Sequence, residues 1–151
     1  HYPLRRQRQM CIRDRFNPVI ADYIQAYGQG GLKAAELGAC EMLSRLYWYT
    51  IEFGLIREQG GLRAYGAGIL SSSGELNYSV RSPEPQRLPL SLERAMRTLY
   101  KIDSYQHTYF VIDDLQQLFD LTAADFEPLY RQLRDQPTVA ADALLPGEVA
   151  L

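Results

Sequence analysis

The sequence has little cysteine and no long apolar run, and each shortage excludes a class of protein. Cys11 and Cys40 are its two cysteines, and they form neither a CxxC pair nor a zinc-ligand spacing. No segment approaches the roughly 18 apolar residues of a membrane span. The N-terminal charges are not followed by the apolar stretch of a secretory signal. These shortages favour a cytoplasmic protein with reduced thiols and no membrane partner.

The composition is that of a globular domain. Hydrophobic residues make up 46% and charged residues 23% of the 151 positions, and the chain has no low-complexity tract or internal repeat. This length is sufficient for one domain with its own core. The residues after Gln136 show no heptad pattern, so we expect no helical tetramer tail and predict a monomer.

Charge is unevenly distributed, because residues 1–15 contain five arginines and one aspartate in a chain of net charge −2. A basic head can bind nucleic acid. This head, however, has no periodicity and no interleaved aromatic residues on which bases would stack. We interpret residues 1–15 as foreign-looking sequence, such as a translated adapter, and predict no nucleic-acid partner. Residues 16–135 are then the native domain, and 136–151 a flexible tail.

Helical periodicity dominates the first third of the native-looking part. A helix is predicted from Pro18 to Tyr27, ended by the glycines that follow. A second is predicted over residues 34–57. Because it is apolar nearly all round between residues 46 and 56, we expect it in the centre of the domain.

The elements predicted after residue 57 are shorter. We expect a strand at 62–66, helices at 75–78 and 93–97, a proline-rich loop at 81–92, a β pair formed by 100–103 and 109–112, and helices at 113–119 and 123–134, the last capped by Thr122. The predicted fold class is α+β, mainly helical, with a small β component.

Glu52 is unusual because it lies in the apolar helix without a neighbouring cation. The residues three and four positions away are Trp48, Tyr49, Leu55 and Ile56. A buried, unpaired carboxylate costs several kcal/mol or takes up a proton. The sequence leaves three explanations open: a metal ion, a distant arginine, or a helix face that is less buried than expected.

Three segments, in order, resemble conserved blocks of the pterin-dependent aromatic amino acid hydroxylases. They are residues 45–55, 64–72 with its continuation at 74–76, and 105–111. The similarity extends from about Asn17 to Leu133. The compact form, with Tyr-Lys-Ile-Asp before the third block, is most similar to bacterial phenylalanine 4-hydroxylases. The resemblance implies the C-terminal portion of that family's catalytic fold.

The resemblance also implies a chemistry. The family binds Fe(II) through two histidines and one glutamate, a triad that leaves positions for dioxygen. It uses tetrahydrobiopterin as cosubstrate, and the phenylalanine hydroxylases convert L-phenylalanine to L-tyrosine. The glutamate that matches the metal ligand is Glu52.

Further positions carry over one at a time. Trp48 and Phe53 match aromatic residues of the amino acid pocket, and Tyr47 matches a catalytic tyrosine near the iron. Without the resemblance, ordinary core packing is the preferred explanation of these aromatic residues. Gly68 and Ser71 match the segment that holds the substrate backbone, although a turn and a helix cap explain them too. Glu75 matches a polar residue behind that segment.

The two iron histidines have no match. By the family's spacing they would fall near Cys11 and Arg6, and neither residue is histidine. His107 stands where relatives often have proline, and we interpret it as a loop residue. We therefore expect an iron- and pterin-dependent monooxygenase whose catalysis this chain alone does not perform. The alternative is a non-catalytic paralogue that binds aromatic amino acids.

Overall fold

The computed structural model describes residues 18–123 and 125–151, so the head at 1–15, with Cys11 and Arg6, lies outside the described residues. The described helices are α1 Pro18–Leu37, α2 Cys40–Tyr47, a π-helical turn Trp48–Glu52, α3 Ala67–Ser71, α4 Ser73–Arg81, α5 Leu92–Arg97, α6 Leu115–Thr122 and α7 Glu127–Leu133. The strands are β1 Leu55–Glu58, β2 Gly61–Ala64, β3 Gln86–Pro89 and β4 Thr108–Ile112. The prediction of a mainly helical α+β fold is confirmed.

α1 runs through the glycines that were expected to end it at Tyr27. A Cβ on Gly30 would come within 3.0 Å of the Phe126 ring. The missing side chain therefore lets α1 pack closely against the segment before α7, and this tertiary contact overrides the low helix propensity of glycine. The helix ends at Leu37, directly before Gly38, whose φ of +67° is the usual left-handed helix stop.

The helix predicted over residues 34–57 is wrong as a single element. This stretch holds the end of α1, then α2, the π-helical turn and β1. The turn ends where the Phe53 amide donates to the Trp48 carbonyl at 2.8 Å, and Leu55 then pairs with Ala64 across the β1–β2 hairpin. A buried helix followed by a buried strand gives one continuous apolar run, which periodicity cannot divide.

The four strands form one mixed sheet in the order β2-β1-β4-β3. β4 is parallel to both neighbours, with Leu55 opposite Val111 and Leu88 opposite Phe110. All five β4 residues are buried. Alternate side chains of β4 enter two separate cores. Phe110 packs in the core that α2, α5 and α7 also form, and Val111 packs in the core that α3 also forms. Such two-sided burial is typical of parallel strands.

The predicted β pair of residues 100–103 and 109–112 is therefore wrong. Residues 100–103 form no strand, and the partner of β4 on that side is β3. β3 itself lies inside the predicted proline-rich loop, where Pro89 is its last residue. A proline at the end of an edge strand does not interrupt the ladder.

The helix starts predicted at residues 75, 93 and 113 lie within two residues of the observed starts of α4, α5 and α6. Ser72, Ser91 and Asp114 cap α4, α5 and α6 through their side-chain oxygens, and the β2 strand is confirmed. The cap assigned to Thr122 is wrong, because Thr122 is the last residue of α6. The Glu127 amide at the start of α7 donates instead to Asp125 at 3.0 Å.

The segment 136–151 packs on the domain, which differs from the flexible tail that the sequence predicts. Val139 is buried and exchanges backbone hydrogen bonds with Arg97 and Leu99 at 2.8 and 2.9 Å. Buried Arg94 forms a 2.7 Å ion pair with Glu148. The composition of the tail did not reveal these partners, since each contact joins residues at least 40 positions apart. None of the helices described in the chain combines the length and the apolar character that a membrane crossing needs.

Candidate functional site

Glu52 is the last residue of the π-helical turn, and it is half-buried. The expected deep burial is wrong. The Tyr47 hydroxyl donates a hydrogen bond of 3.2 Å to Glu52 Oε1. In a π-helical turn, residues five positions apart hydrogen-bond through the backbone, whereas the α-helical count considers only neighbours at three and four. The count from sequence therefore missed Tyr47 as the partner of this carboxylate.

The surroundings of Tyr47 keep its hydroxyl protonated. Its ring packs on that of Tyr27, with the centroids 5.4 Å apart. Burial of the phenol, followed by the charge of the adjacent Glu52, raises the pKa of Tyr47 above its ordinary value. A protonated phenol is a hydrogen-bond donor, so Tyr47 holds one oxygen of Glu52 at neutral pH.

Trp48 forms the centre of an aromatic stack with Phe53 on one side and Tyr100 on the other. The ring centroids lie 4.7 Å from Phe53 and 4.3 Å from Tyr100, and both pairs are stacked. The indole Nε1–H donates to Gln106 Oε1 at 3.1 Å. The aromatic stack (Trp48, Phe53 and Tyr100) is an apolar wall, and Trp48 and Phe53 enter it from either side of Glu52 in the chain.

Gly68 lies where only a residue without a side chain fits easily. A Cβ at this position would come 2.9 Å from Phe53 Cζ and 3.0 Å from the Glu52 carbonyl oxygen. The absence of a side chain at Gly68 therefore lets the α3 backbone approach Phe53 and the Glu52 backbone closely. Ser71 is exposed at the end of α3, and its hydroxyl donates to the Gly68 carbonyl at 2.7 Å.

In contrast to Glu52, Glu75 is buried, with 7% of its surface exposed. Its Oε1 accepts hydrogen bonds from the Tyr109 hydroxyl at 2.7 Å and from the Gln106 amide at 3.2 Å. Burial, followed by the hydrogen bond and charge of Glu75, raises the pKa of Tyr109 far above its ordinary value. Glu75 is thus held by two donors, Tyr109 and Gln106, that both belong to the third block.

The structure brings most of the predicted residues into one region. Tyr47 hydrogen-bonds to Glu52, and Trp48 stacks on Phe53. Gly68 lies against Phe53 and the Glu52 carbonyl. Ser71 and Glu75 lie further along the chain, on α3 and α4. Their assigned roles stay predictions.

Sequence reasoning missed three further residues that complete this region: Tyr100, Gln106 and Tyr109. Tyr100 and Tyr109 were placed in the incorrect β pair, and Gln106 between them. The three become neighbours of Trp48 and Glu75 only because β4 runs parallel to β1. The third block contains two of them, so the block itself was the available signal.

The residues that the structure describes do not by themselves fit a bound iron ion. Among them no three side chains of histidine, cysteine, aspartate or glutamate come together as a metal site. His107 is exposed on the loop before β4, in agreement with its interpretation as a loop residue. Glu52 offers one carboxylate, which is a single ligand of the hard type that divalent iron accepts.

The family follows from the match of a known sequence pattern to this chain. The pattern of the biopterin-dependent aromatic amino acid hydroxylases matches residues 15–133, and this range contains every helix and strand described above. This chain belongs to the biopterin-dependent aromatic amino acid hydroxylase family. The fold is accordingly that of the family's catalytic domain, in its C-terminal portion.

Two similar relatives within the hydroxylase family are bacterial enzymes. The chain is 58% identical over 135 residues to a phenylalanine-4-hydroxylase of Ralstonia nicotianae, covering 89% of this chain and 43% of the relative. It is 56% identical to a phenylalanine-4-hydroxylase of Chromobacterium violaceum, covering 89% and 46%. The chain therefore spans less than half the length of these curated relatives.

Solved structures of the hydroxylase family agree with the fold. The iron- and phenylalanine-bound crystal structure of the Chromobacterium violaceum phenylalanine hydroxylase superposes with a TM-score of 0.87 at 56% identity. The match covers 89% of this chain and 50% of that one. A structure of the same enzyme bound to cobalt matches with a TM-score of 0.86.

Proposed function

We propose that this chain carries the C-terminal portion of the catalytic domain of a phenylalanine 4-monooxygenase, which hydroxylates L-phenylalanine to L-tyrosine with dioxygen, Fe(II) and tetrahydrobiopterin. The observation that carries the proposal is one accessible carboxylate, Glu52, whose neighbour in the chain, Phe53, stacks on Trp48 in the aromatic wall. The identity of 58% to a phenylalanine-4-hydroxylase supports phenylalanine rather than another aromatic amino acid.

In this proposal Glu52 is one of the iron ligands. Bound iron and pterin supply the activation of dioxygen. Tyr47 holds Glu52 Oε1 by its 3.2 Å hydrogen bond, which orients the carboxylate and leaves Oε2 for a metal. A hydrogen bond to a ligating carboxylate also reduces the rotamer freedom that metal binding would otherwise remove.

The substrate side of the proposed site is formed by the aromatic wall and a close backbone. Phe53 and Tyr100 cover the two faces of Trp48, so the stack as a whole offers apolar surface to an aromatic side chain. Gly68 keeps the α3 backbone next to that surface, and Ser71 offers a hydroxyl at the end of α3 for the polar part of an amino acid.

We further propose that the chain by itself neither binds Fe(II) tightly nor catalyses hydroxylation. The affinity of a metal site comes from several ligands placed together. The sequence holds two histidines, His1 and His107, and neither stands where the resemblance requires an iron ligand. We also propose a monomer in the cytoplasm, which the exposed free thiol of Cys40 suits.

The test is a chimera that joins residues 18–151 to the upstream half of the Chromobacterium violaceum relative. We expect this chimera to bind Fe(II) by calorimetry and to hydroxylate phenylalanine, while the chain alone gives no tight Fe(II) site. Glu52→Ala in the chimera should remove activity and weaken Fe(II) binding by about 10-fold or more, because the loss of even a hydrogen-bonding partner of a metal ligand costs about that much.

Glu84→Ala is the matched control, because Glu84 is an exposed carboxylate on the loop between α4 and β3. It should leave both Fe(II) affinity and activity unchanged. Equal Fe(II) binding by the Glu52→Ala chimera would refute the ligand assignment. Tight binding of phenylalanine by the chain alone would favour an amino acid binding module instead.

A further inference from the structure

Gln106 lies on the loop before β4 and is 1% exposed. A glutamine side chain carries two donor hydrogens and an acceptor oxygen, and burying them without partners is costly. The proposed chemistry gives Gln106 no role, so its burial needs its own explanation.

The whole amide of Gln106 is used in hydrogen bonds. Oε1 accepts from Trp48 Nε1–H at 3.1 Å and from the Lys101 amide at 3.2 Å. Nε2 donates to the carbonyls of Lys101 at 2.6 Å and Ser104 at 3.4 Å. The backbone amide of Gln106 donates to Glu75 Oε1 at 3.2 Å. One residue therefore joins the indole, the loop that follows Tyr100, and α4.

Stacking alone leaves one motion of Trp48 unrestrained. Contact between parallel ring faces fixes the spacing of the aromatic stack, but it depends only weakly on rotation of the indole within its own plane. A hydrogen bond to Nε1 is directional and fixes that rotation. The Gln106 bonds to Lys101 also hold the residue next to Tyr100, so both the indole and the ring that covers it are positioned by the same amide.

We propose that Gln106 is a positioning residue that sets the orientation of Trp48 in the aromatic wall and couples that wall to the buried Glu75. The proposal rests on the proposed function only where it calls this wall the amino acid pocket. The link from Glu75 through Gln106 to Trp48 is a continuous hydrogen-bonded path from α4 to the π-helical turn.

The test uses the fact that Trp48 is the sole tryptophan of the chain. Its indole N–H gives a single proton resonance, and exchange of this proton with solvent reports the hydrogen bond to Gln106. In the wild-type chain we expect a slowly exchanging indole N–H and a near-ultraviolet circular dichroism signal from a fixed indole. An indole proton that exchanges as fast as in free tryptophan would overturn the proposal without any variant.

Gln106→Met keeps the length of the side chain and removes its hydrogen bonds. We expect loss of indole N–H protection and of the near-ultraviolet signal, with the far-ultraviolet signal retained. Gln132→Met makes the same change at an exposed glutamine of α7 and should change nothing. Unchanged exchange at the indole in a folded Gln106→Met variant would overturn the proposal.

Gln106→Glu is the second variant, since a carboxyl group keeps an acceptor for the indole N–H. If the Trp48 indole N–H stays protected in Gln106→Glu, the result supports positioning of the indole through this hydrogen bond. This conclusion holds even if Gln106→Met does not fold. Protection lost in a folded Gln106→Glu variant contradicts it. In the chimera described above, Gln106→Met should raise the KM for phenylalanine and leave Fe(II) affinity unchanged, because the hydrogen bonds of Gln106 go to other residues than Glu52.

The two proposals fail separately. A chimera without iron binding would refute the proposed function and leave the indole result standing. A chimera that binds iron while its indole N–H is unprotected would refute only the role of Gln106.

Discussion

Two carboxylates in neighbouring regions of the molecule have opposite environments. Glu52, at the end of the π-helical turn, is half-buried and accepts one hydrogen bond, from Tyr47. Glu75, in the first turn of α4, is 7% exposed and accepts from Tyr109 and Gln106. A buried carboxylate that accepts two hydrogen bonds stabilises the fold, whereas a half-buried carboxylate with one hydrogen bond is accessible to a ligand.

The difference arises from the local backbone. Glu75 points from an α-helical first turn onto β4, where a strand buried on both faces supplies a tyrosine at the required position. Glu52 stands where the chain leaves the helix, at a turn with π geometry. Such turns occur frequently at functional sites because they redirect one side chain without ending the packing of its neighbours.

The largest effect that separates the two regions is expected from Glu75→Ala. The change leaves the Tyr109 hydroxyl and the Gln106 amide without their acceptor in a buried environment. We expect a loss of about 3 kcal/mol in the free energy of unfolding, the upper part of the range for a buried group that loses its charged partner. Urea denaturation measures it, and a loss below about 1 kcal/mol would contradict the buried network.

Tyr109→Phe should have the next largest effect. It removes only the hydroxyl that donates to Glu75 at 2.7 Å and keeps the ring in the core. Loss of a hydrogen bond to a charged group is expected to cost about 2 kcal/mol in unfolding free energy. Tyr105→Phe is the control, because Tyr105 is 45% exposed and its hydroxyl lies outside this network. Equal denaturation midpoints for the two variants would refute the prediction.

Alkaline titration should sharpen the same contrast. Burial raises the pKa of Tyr109 and, to about 12, that of Tyr27. Since these folded-state pKa values lie above the ordinary value near 10, the associated stability is fully present below about pH 10 and is lost as the pH rises further. We expect the free energy of unfolding to fall above that pH.

Phenolate absorbance distinguishes Tyr47, the hydrogen-bond partner of Glu52, from Tyr109, the partner of Glu75. Tyr47 is 37% exposed and should ionise while the chain is still folded, whereas Tyr109 should ionise only on unfolding. Tyr47→Phe then removes absorbance from the reversible phase and Tyr109→Phe from the unfolding phase. Loss from the same phase in both variants would show that the two phenols share one environment.

The smallest stability effect is expected at the proposed ligand. Glu52→Ala removes a half-buried carboxylate with one hydrogen bond and should change the unfolding free energy by no more than about 0.5 kcal/mol, as for most changes outside the core. Thermal denaturation of the chain without iron measures it. A loss as large as that of Glu75→Ala would mean that Glu52 is structural.

Much of the candidate site was predictable from short segments. The blocks at 45–55, 64–72 and 105–111 carry Glu52, the aromatic residues and the glycine segment, and the structure brings these blocks together. Helix caps at Ser72, Ser91 and Asp114 were also predictable, because a capping side chain bonds to an amide only three residues away. These features are local, so the sequence contains their partners.

Other features depend on residues that are distant in the chain. The glycines of α1 remain helical because Phe126 packs on Gly30, and the tail is held because Arg94 meets Glu148. The apolar run around Glu52 divides into a π-helical turn and a strand because β4 offers Leu55 a parallel partner. Propensity and periodicity describe one segment at a time and cannot register such contacts.

The sequence by itself determined which carboxylate, aromatic and glycine residues this protein places around its candidate site. Tertiary structure decided which of the two glutamates is buried. Solvent exposure depends on what packs against a side chain, and for Glu75 the covering groups, Tyr109 and Gln106, come from more than 30 positions away. The apolar neighbours of Glu52 in the chain suggested burial, but the turn that ends its helix leaves that carboxylate half open to solvent.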